Sequence, residues 1–241
     1  MDKGPNKIPP LNSIHHLPKD LFDLQSALFR RLNRLPKSDN PEVDRLMTEC
    51  AAQALNLAEP RYSMAKGIIT DKTAGHVTLN HSVTLESPLF STLVEKNDPC
   101  ILYLLTLGKV LSETIRQMGQ DDPGMAYFLD TAASALTEYA AALIQASLMD
   151  ELSPQRLILT PRFSPGNCDL PMTAQSSILS LLEPDKIGVT LTDTCLMMPE
   201  KSLSIIHGII PEARAATLPK PLGCAACTQQ SVCTFRQIRH P

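Results

Sequence analysis

The sequence predicts an α+β fold: a central, mainly antiparallel, twisted β-sheet flanked by long helices. Three observations carry this. Residues 122–151 keep apolar side chains at helical spacing for far longer than any strand. Residues 62–86 and 100–107 are instead β-branched or continuously apolar runs, set off by turn residues. The two kinds of segment intersperse without the regular alternation of a doubly wound sheet.

Residues 1–17 are Pro-rich and read as a loosely held, irregular arm. A helix fits Pro18 to Arg34, where Leu21, Leu24, Leu28, Phe29 and Leu32 recur at helical spacing. Pro36 closes it. Asn40-Pro41-Glu42 opens the next helix, with Asn40 as N-cap and Pro41 at the first helical position. Val43, Leu46, Met47, Cys50, Ala54 and Leu57 mark its buried stripe. Strands are predicted over Tyr62–Thr70, His76–Asn80 and His81–Glu86. Cys100 to Leu107 reads as a strand buried on both faces, and Gly108 releases the chain into a helix over Lys109–Met118.

The longest helix is expected from Asp122 to Glu151, with Pro123 near its start. Met125, Phe128, Leu129, Ala132, Leu136, Tyr139, Leu143 and Ile144 form its stripe, and its many Ala residues permit close packing on a sheet. An extended arm bearing Arg162 then enters a Pro165-Gly166 turn. A short amphipathic helix follows, then a strand started by Gly188, then a second strand-like run that ends near a second Pro. The expected organisation is a helical extension (1–58), an α+β domain (59–211) and a Cys-containing tail (212–241).

Composition narrows the function. A chain of 241 residues can bury a sizeable core, and with Trp absent and aromatics at 4% that core must be aliphatic and Met-rich. A net charge of −3 without long runs of one sign argues against a nucleic-acid surface. No apolar run is long enough to span a bilayer, and the first residues lack a signal-peptide pattern, so a soluble cytoplasmic protein without membrane contact is expected. Seven Cys in that setting suggest reduced thiols or metal ligands. No Gly-x-Ser-x-Gly, P-loop or dinucleotide fingerprint is present.

Two constellations stand out. In the tail, Cys224 and Cys227 have the spacing to wrap one metal, and Cys233 would close most of a tetrahedral shell. Zinc or an iron–sulfur cluster would each accept these ligands, with Cys168, Cys195 or His240 completing the set. Idle thiols are the other reading. A thioredoxin-type pair fits poorly, because the motif follows Pro219-Lys220-Pro221-Leu222-Gly223 rather than a strand. Cys50 and Cys100 lie on apolar stripes and read as core packing, while His15, His16, His76 and His81 read as surface or capping residues.

The second constellation starts at Arg162-Phe163-Ser164-Pro165-Gly166-Asn167-Cys168-Asp169-Leu170-Pro171, with Gln175 shortly after. It continues through Gly188-Val189-Thr190-Leu191-Thr192 and Met197-Met198-Pro199 to Ser202-Leu203-Ser204. This order of short words resembles the reactivation-domain family of cobalamin-dependent methionine synthase. The family pattern is Arg-x-x-Pro-Gly-Tyr, a Pro four residues beyond the Tyr, a short helix, Gly-x-x-Leu-Thr, and Met-x-Pro-x-x-Ser-x-Ser. Asp98-Pro99 before a buried strand ending Thr106-Leu107-Gly108, and the long helix with Asp130 and Glu138, extend the likeness over residues 60–210.

The resemblance implies a fold like that activation domain and a stand-alone accessory role in corrinoid methyl transfer. S-adenosylmethionine would be bound and presented to cobalamin carried by a corrinoid protein or cobalamin-dependent methyltransferase. Arg162, Pro165, Gly166, Asn167, Cys168 and Glu138 would form the donor site. A guanidinium suits a ligand carboxylate, although an Arg at a strand end also pairs with protein carboxylates. Asp130 and Glu138 lie eight residues apart on one helix face and would meet an amino group or ribose, or else form a solvated face. Asn167 departs from the family Tyr: it keeps a polar contact and tolerates a left-handed turn, but supplies no aromatic area. Two further readings stay open: a non-catalytic module that docks on a corrinoid protein, and an iron–sulfur electron-transfer protein using the Cys tail.

Overall fold

A computed structural model describes residues 14–33 and 40–218. The fold is α+β with an antiparallel sheet, as the interspersed segments predict. The strands are β1 (Ile14–His16), β2 (Arg61–Lys72), β3 (His76–Leu79), β4 (Val83–Glu86), β5 (Pro99–Thr106), β6 (Leu157–Leu159) and β9 (Ser202–Pro211). They form one sheet in the order β4-β3-β2-β5-β9-β6, with β1 added alongside the start of β2. A separate ribbon pairs β7 (Thr190–Leu191) with β8 (Met197–Met198). The helices are α1 (Ala27–Leu32), α2 (Pro41–Leu57), α3 (Pro88–Leu93), α4 (Lys109–Asp121), α5 (Pro123–Leu152), α6 (Ala174–Leu179) and α7 (Glu212–Ala215).

β5 is central because it can be covered on both faces: from Cys100 onward every residue in it is buried. Ile101, Tyr103 and Leu105 face a core shared with α2 and α5, whereas Cys100, Leu102 and Leu104 face a second core completed by α3 and α6. The long helix starts as its sequence dictates. Asp122 accepts the Met125 amide at 3.0 Å and Pro123 occupies the first turn. Buried Ala132, Ala133, Ala140 and Ala141 let α5 lie close to the sheet. The α2 cap is likewise the expected one, Asn40 accepting the Glu42 amide at 3.0 Å.

Several expectations change. His15 and His16 do not lie in an irregular arm, because Ile14–His16 pairs with Arg61–Ser63 and His15 rests on the Tyr62 ring at 4.9 Å. The helix expected over Pro18–Arg34 is broken into a 3-10 turn at Lys19–Leu21 and α1. Asp23 takes the Gln25 amide at 2.9 Å and Ser26 takes the Phe29 amide at 3.1 Å, so side chains stop one turn and start the next. The run after Gly188 is a strand for two residues only, since a turn closed by the Cys195 amide on the Thr192 carbonyl folds it into the ribbon. Ser202-Leu203-Ser204 opens the long strand β9, and β6 and α3 were not anticipated. The helix after Gly108 runs on to Asp121.

Phe22, Phe29, Met47, Cys50, Ala51 and Ala54, all from the first 58 residues, are part of the same core as α5. Phe22 and Phe29 pack edge-on against Tyr139 at 5.9 and 5.4 Å. At the other end, Arg214 of α7 grips Asp98 through its two terminal guanidinium nitrogens, Nη1 and Nη2. Among the described residues no helix is long and apolar enough to cross a membrane. Pro36 and Cys224, Cys227, Cys233 and His240 lie outside the described residues.

Candidate ligand site around Arg162

The position of Arg162 follows from an irregularity at the edge of the sheet. β6 pairs with β9 through Leu157↔Pro211, Ile158↔Ile210 and Leu159↔Ile209, and pairing resumes at Phe163↔Ile206. Four steps along one strand are matched by three on the other, so residues 160–162 contain a one-residue β-bulge. Pro161 has no N–H to give to a ladder. The polar groups of the bulge are met by side chains: the Gly208 amide donates to Thr160 Oγ1 at 2.9 Å, Thr160 Oγ1 donates to the Pro161 carbonyl at 3.1 Å, and His207 Nδ1 lies 2.8 Å from the Thr160 carbonyl. Gly208 is needed there, because a Cβ would come within 2.4 Å of Val94 Cγ1 and 3.1 Å of Thr160 Cγ2.

From this bulge Arg162 reaches α5 and forms an ion pair through Nη2 with Glu138 Oε2. The side chains are 21% and 24% exposed, so the pair is partly desolvated and still in contact with solvent. Pairing of the Arg with a protein carboxylate is therefore what the structure shows, and the carboxylate is the other residue that the family resemblance singles out. Asp130 lies eight residues earlier, about 12 Å along the helix axis. It is not a plain solvated acid: Lys201 Nζ sits 2.7 Å from Asp130 Oδ1 and donates to Ser134 Oγ at 2.9 Å.

Beyond Arg162 the chain makes two successive turns. Asn167 donates its amide to the Ser164 carbonyl at 2.9 Å, with Pro165 then Gly166 at φ +80°, the geometry of a type II turn. The Leu170 amide closes the second on the Asn167 carbonyl at 3.2 Å, with Cys168 at φ +55°. Pro165 is buried, Gly166 and Asn167 are exposed, and Cys168 is half-buried. A Cβ on Gly166 would meet Met172 Cε at 2.7 Å. Asp169 anchors the turns to α3, accepting Ser87 Oγ at 2.8 Å and the Leu89 amide at 2.5 Å. Gln175 donates to Ser204 Oγ at 2.7 Å and so ties α6 to β9.

Beneath the ion pair lie Tyr103 and His207, stacked with ring centroids 6.0 Å apart. Burial, together with Glu138, pushes the Tyr103 phenol far above its usual range. Burial, reinforced by the nearby Arg162 charge, lowers His207 to about 4. Its Nδ1 faces a carbonyl and must carry the proton, which leaves Nε2 as a buried bare acceptor with no partner.

Arg162, Glu138 and the 165–169 turn are expected in one region from the sequence, whereas Thr160, Lys201 and His207 are not. His207 alone left a signal, as the one polar side chain in Ile205-Ile206-His207-Gly208-Ile209-Ile210. Cys50 and Cys100 are buried in the core, and burial raises the Cys100 thiol to about 12. Among the described residues no cluster of three His, Cys, Asp or Glu could hold a metal. Hollows of about 470 Å³ between α1 and α2 and about 410 Å³ beside the ribbon are lined by none of the Arg162 site.

No family model matches this chain, and no curated protein matches it. Among solved structures it is similar to the MetH reactivation domain, crystallised bound to AdoHcy. The TM-score is 0.60 at 16% sequence identity, covering 81% of this chain and 77% of that one. That likeness establishes the fold: this chain has the architecture of the MetH reactivation domain.

Proposed function

We propose that this protein binds S-adenosylmethionine at Arg162 and Glu138 and serves corrinoid methyl transfer in trans, presenting the donor to a partner. The observation that carries the proposal is the partly exposed Arg162–Glu138 pair, with Arg162 three residues before Pro165 of a turn whose Gly166 and Asn167 are exposed. An amino-acid end inserts into such a pair by exchange: Arg162 takes the carboxylate and Glu138 takes the ammonium, with no net change in buried charge. Asp130, fixed by Lys201, is the acceptor for ribose hydroxyls further along α5. The turn at 165–168 closes the site through backbone groups, with Asn167 as a polar contact. Cobalamin, held by a corrinoid protein or cobalamin-dependent methyltransferase, supplies the cobalt that accepts the methyl group. The residues of this chain bind and orient the donor and perform no acid–base step.

Two readings compete. Asn167 is exposed and offers no aromatic surface, which favours a module that docks on a corrinoid protein without binding the donor. The Cys224, Cys227 and Cys233 motif favours a metal-bearing tail, with zinc or an iron–sulfur cluster. Calorimetric titration with S-adenosylmethionine and S-adenosylhomocysteine separates them. Saturable binding is expected, weakened about 30–100-fold in R162A through loss of a charge-assisted bond. Absence of binding to the full chain sinks the donor reading and leaves docking. Metal analysis of the anaerobically purified chain tests the tail.

A further inference from the structure

The face on which Arg162 emerges is decided by the bulge, not by the sequence pattern. If the β6–β9 register ran on unbroken from Leu159↔Ile209, Arg162 would stand opposite Ile206. Ile206 belongs to the core on the α3 and α6 side, so the guanidinium would point away from α5. With the extra residue, Phe163 takes that place and packs in the same core, and Arg162 turns to Glu138. Something must hold the extra residue in, because the regular ladder offers a competing partner for each group.

The Gly208 amide would ordinarily donate to the carbonyl facing it, but Thr160 Oγ1 has taken it. That leaves the Thr160 carbonyl inside a fully buried environment, where a missing donor is costly. His207, 0% exposed, supplies the donor. We propose that His207 is a positioning residue for Arg162: its Nδ1–H, given to the Thr160 carbonyl, locks the bulge that aims the guanidinium at Glu138. This deepens the donor-site reading and rests on it for the consequence in ligand affinity, while the aiming of Arg162 is measurable without any ligand. An aliphatic side chain at 207 leaves the carbonyl bare and favours recovery of the plain ladder, with Arg162 lost from the α5 face.

The test compares H207N, whose amide nitrogen stands where Nδ1 does, with H207L, which has no donor. In each background and in the wild type, the coupling between Arg162 and Glu138 is read from a double-mutant cycle of R162A and E138A by denaturant unfolding. Coupling retained in H207N and reduced to less than half in H207L is the expected result. Undiminished coupling in H207L overturns the proposal. Should H207L fail to fold, T160V reaches the same bulge by freeing the Gly208 amide, and undiminished coupling there overturns it equally. S-adenosylhomocysteine titration adds the second arm, with affinity expected to fall at least tenfold in H207L and to be kept in H207N. A wild-type chain that binds none of it, yet loses the coupling in H207L, sinks the donor reading and keeps the positioning role.

Discussion

Arg162 and Glu138 are separated by 24 residues and by a change from sheet edge to helix, yet their side chains meet. What lies beneath them has a consequence for pH. His207 in the folded chain titrates at about 4, against 6.5 for the exposed side chain, because burial and the Arg162 charge disfavour its cation. The unfolded chain therefore binds the extra proton first. Stability from this residue is complete above pH 6.5 and is lost as the pH falls towards 4, amounting to about 3 kcal/mol. Urea midpoints measured across that window are expected to fall more steeply for the wild type than for H207N, which has no titratable side chain at position 207. Parallel curves for the two chains would contradict a neutral buried imidazole.

At the scale of elements, chemistry local to the chain explains where most helices begin. Asn40-Pro41 and Asp122-Pro123 start α2 and α5 as their cap chemistry requires. The same local chemistry, weighed differently, accounts for the broken helix at Pro18–Arg34: leucine spacing suited one helix, but Asp23 and Ser26 bind nearby amides and divide it. Asp169 illustrates what spacing does not reveal. It reaches across 80 residues to the first turn of α3, and so joins the ligand-site turns to a helix of the second core. D169A is expected to cost about 2 kcal/mol by leaving the Ser87 hydroxyl and the Leu89 amide without their acceptor. Faster hydrogen exchange at Leu89 and Leu170 should accompany it. Unchanged exchange at both would show that the clamp does not hold the turns.

Across the whole molecule, one sheet separates two cores, and the first helices belong to one of them. Phe29 and Met47 are buried with Leu136 and Tyr139 of α5, so removing α1 and α2 bares apolar surface along the longest helix. A boundary near residue 58 is visible as a change from helix to strand, but composition does not report what the helices cover. A chain begun at Glu59 is expected to lack the single cooperative thermal transition of the full chain and to bind a dye selective for exposed apolar surface. A sharp transition at an unaltered temperature would instead support residues 59–211 as a self-sufficient domain.

Periodicity, caps and turn residues were enough to define the α+β class, the buried strand β5, the long helix α5 and the presence of a turn at Pro165-Gly166. Each of these is encoded within a few neighbouring residues, whose conformational preferences and apolar spacing are readable in order along the chain. Arg162 and Glu138 were joined as candidate ligand residues by the family resemblance and not by these signals, and the structure pairs their side chains. The local signals did not reveal that β9 is the second central strand, that Lys201 restrains Asp130, or that Arg162 faces α5. Those features depend on strand register and on partners far away in sequence. A one-residue bulge, satisfied by Thr160 and His207, turns a side chain from one face of the sheet to the other. No period in the sequence announces it, because the apolar residues of β9 are buried in either register, and what changes is whether Arg162 or Phe163 stands opposite Ile206.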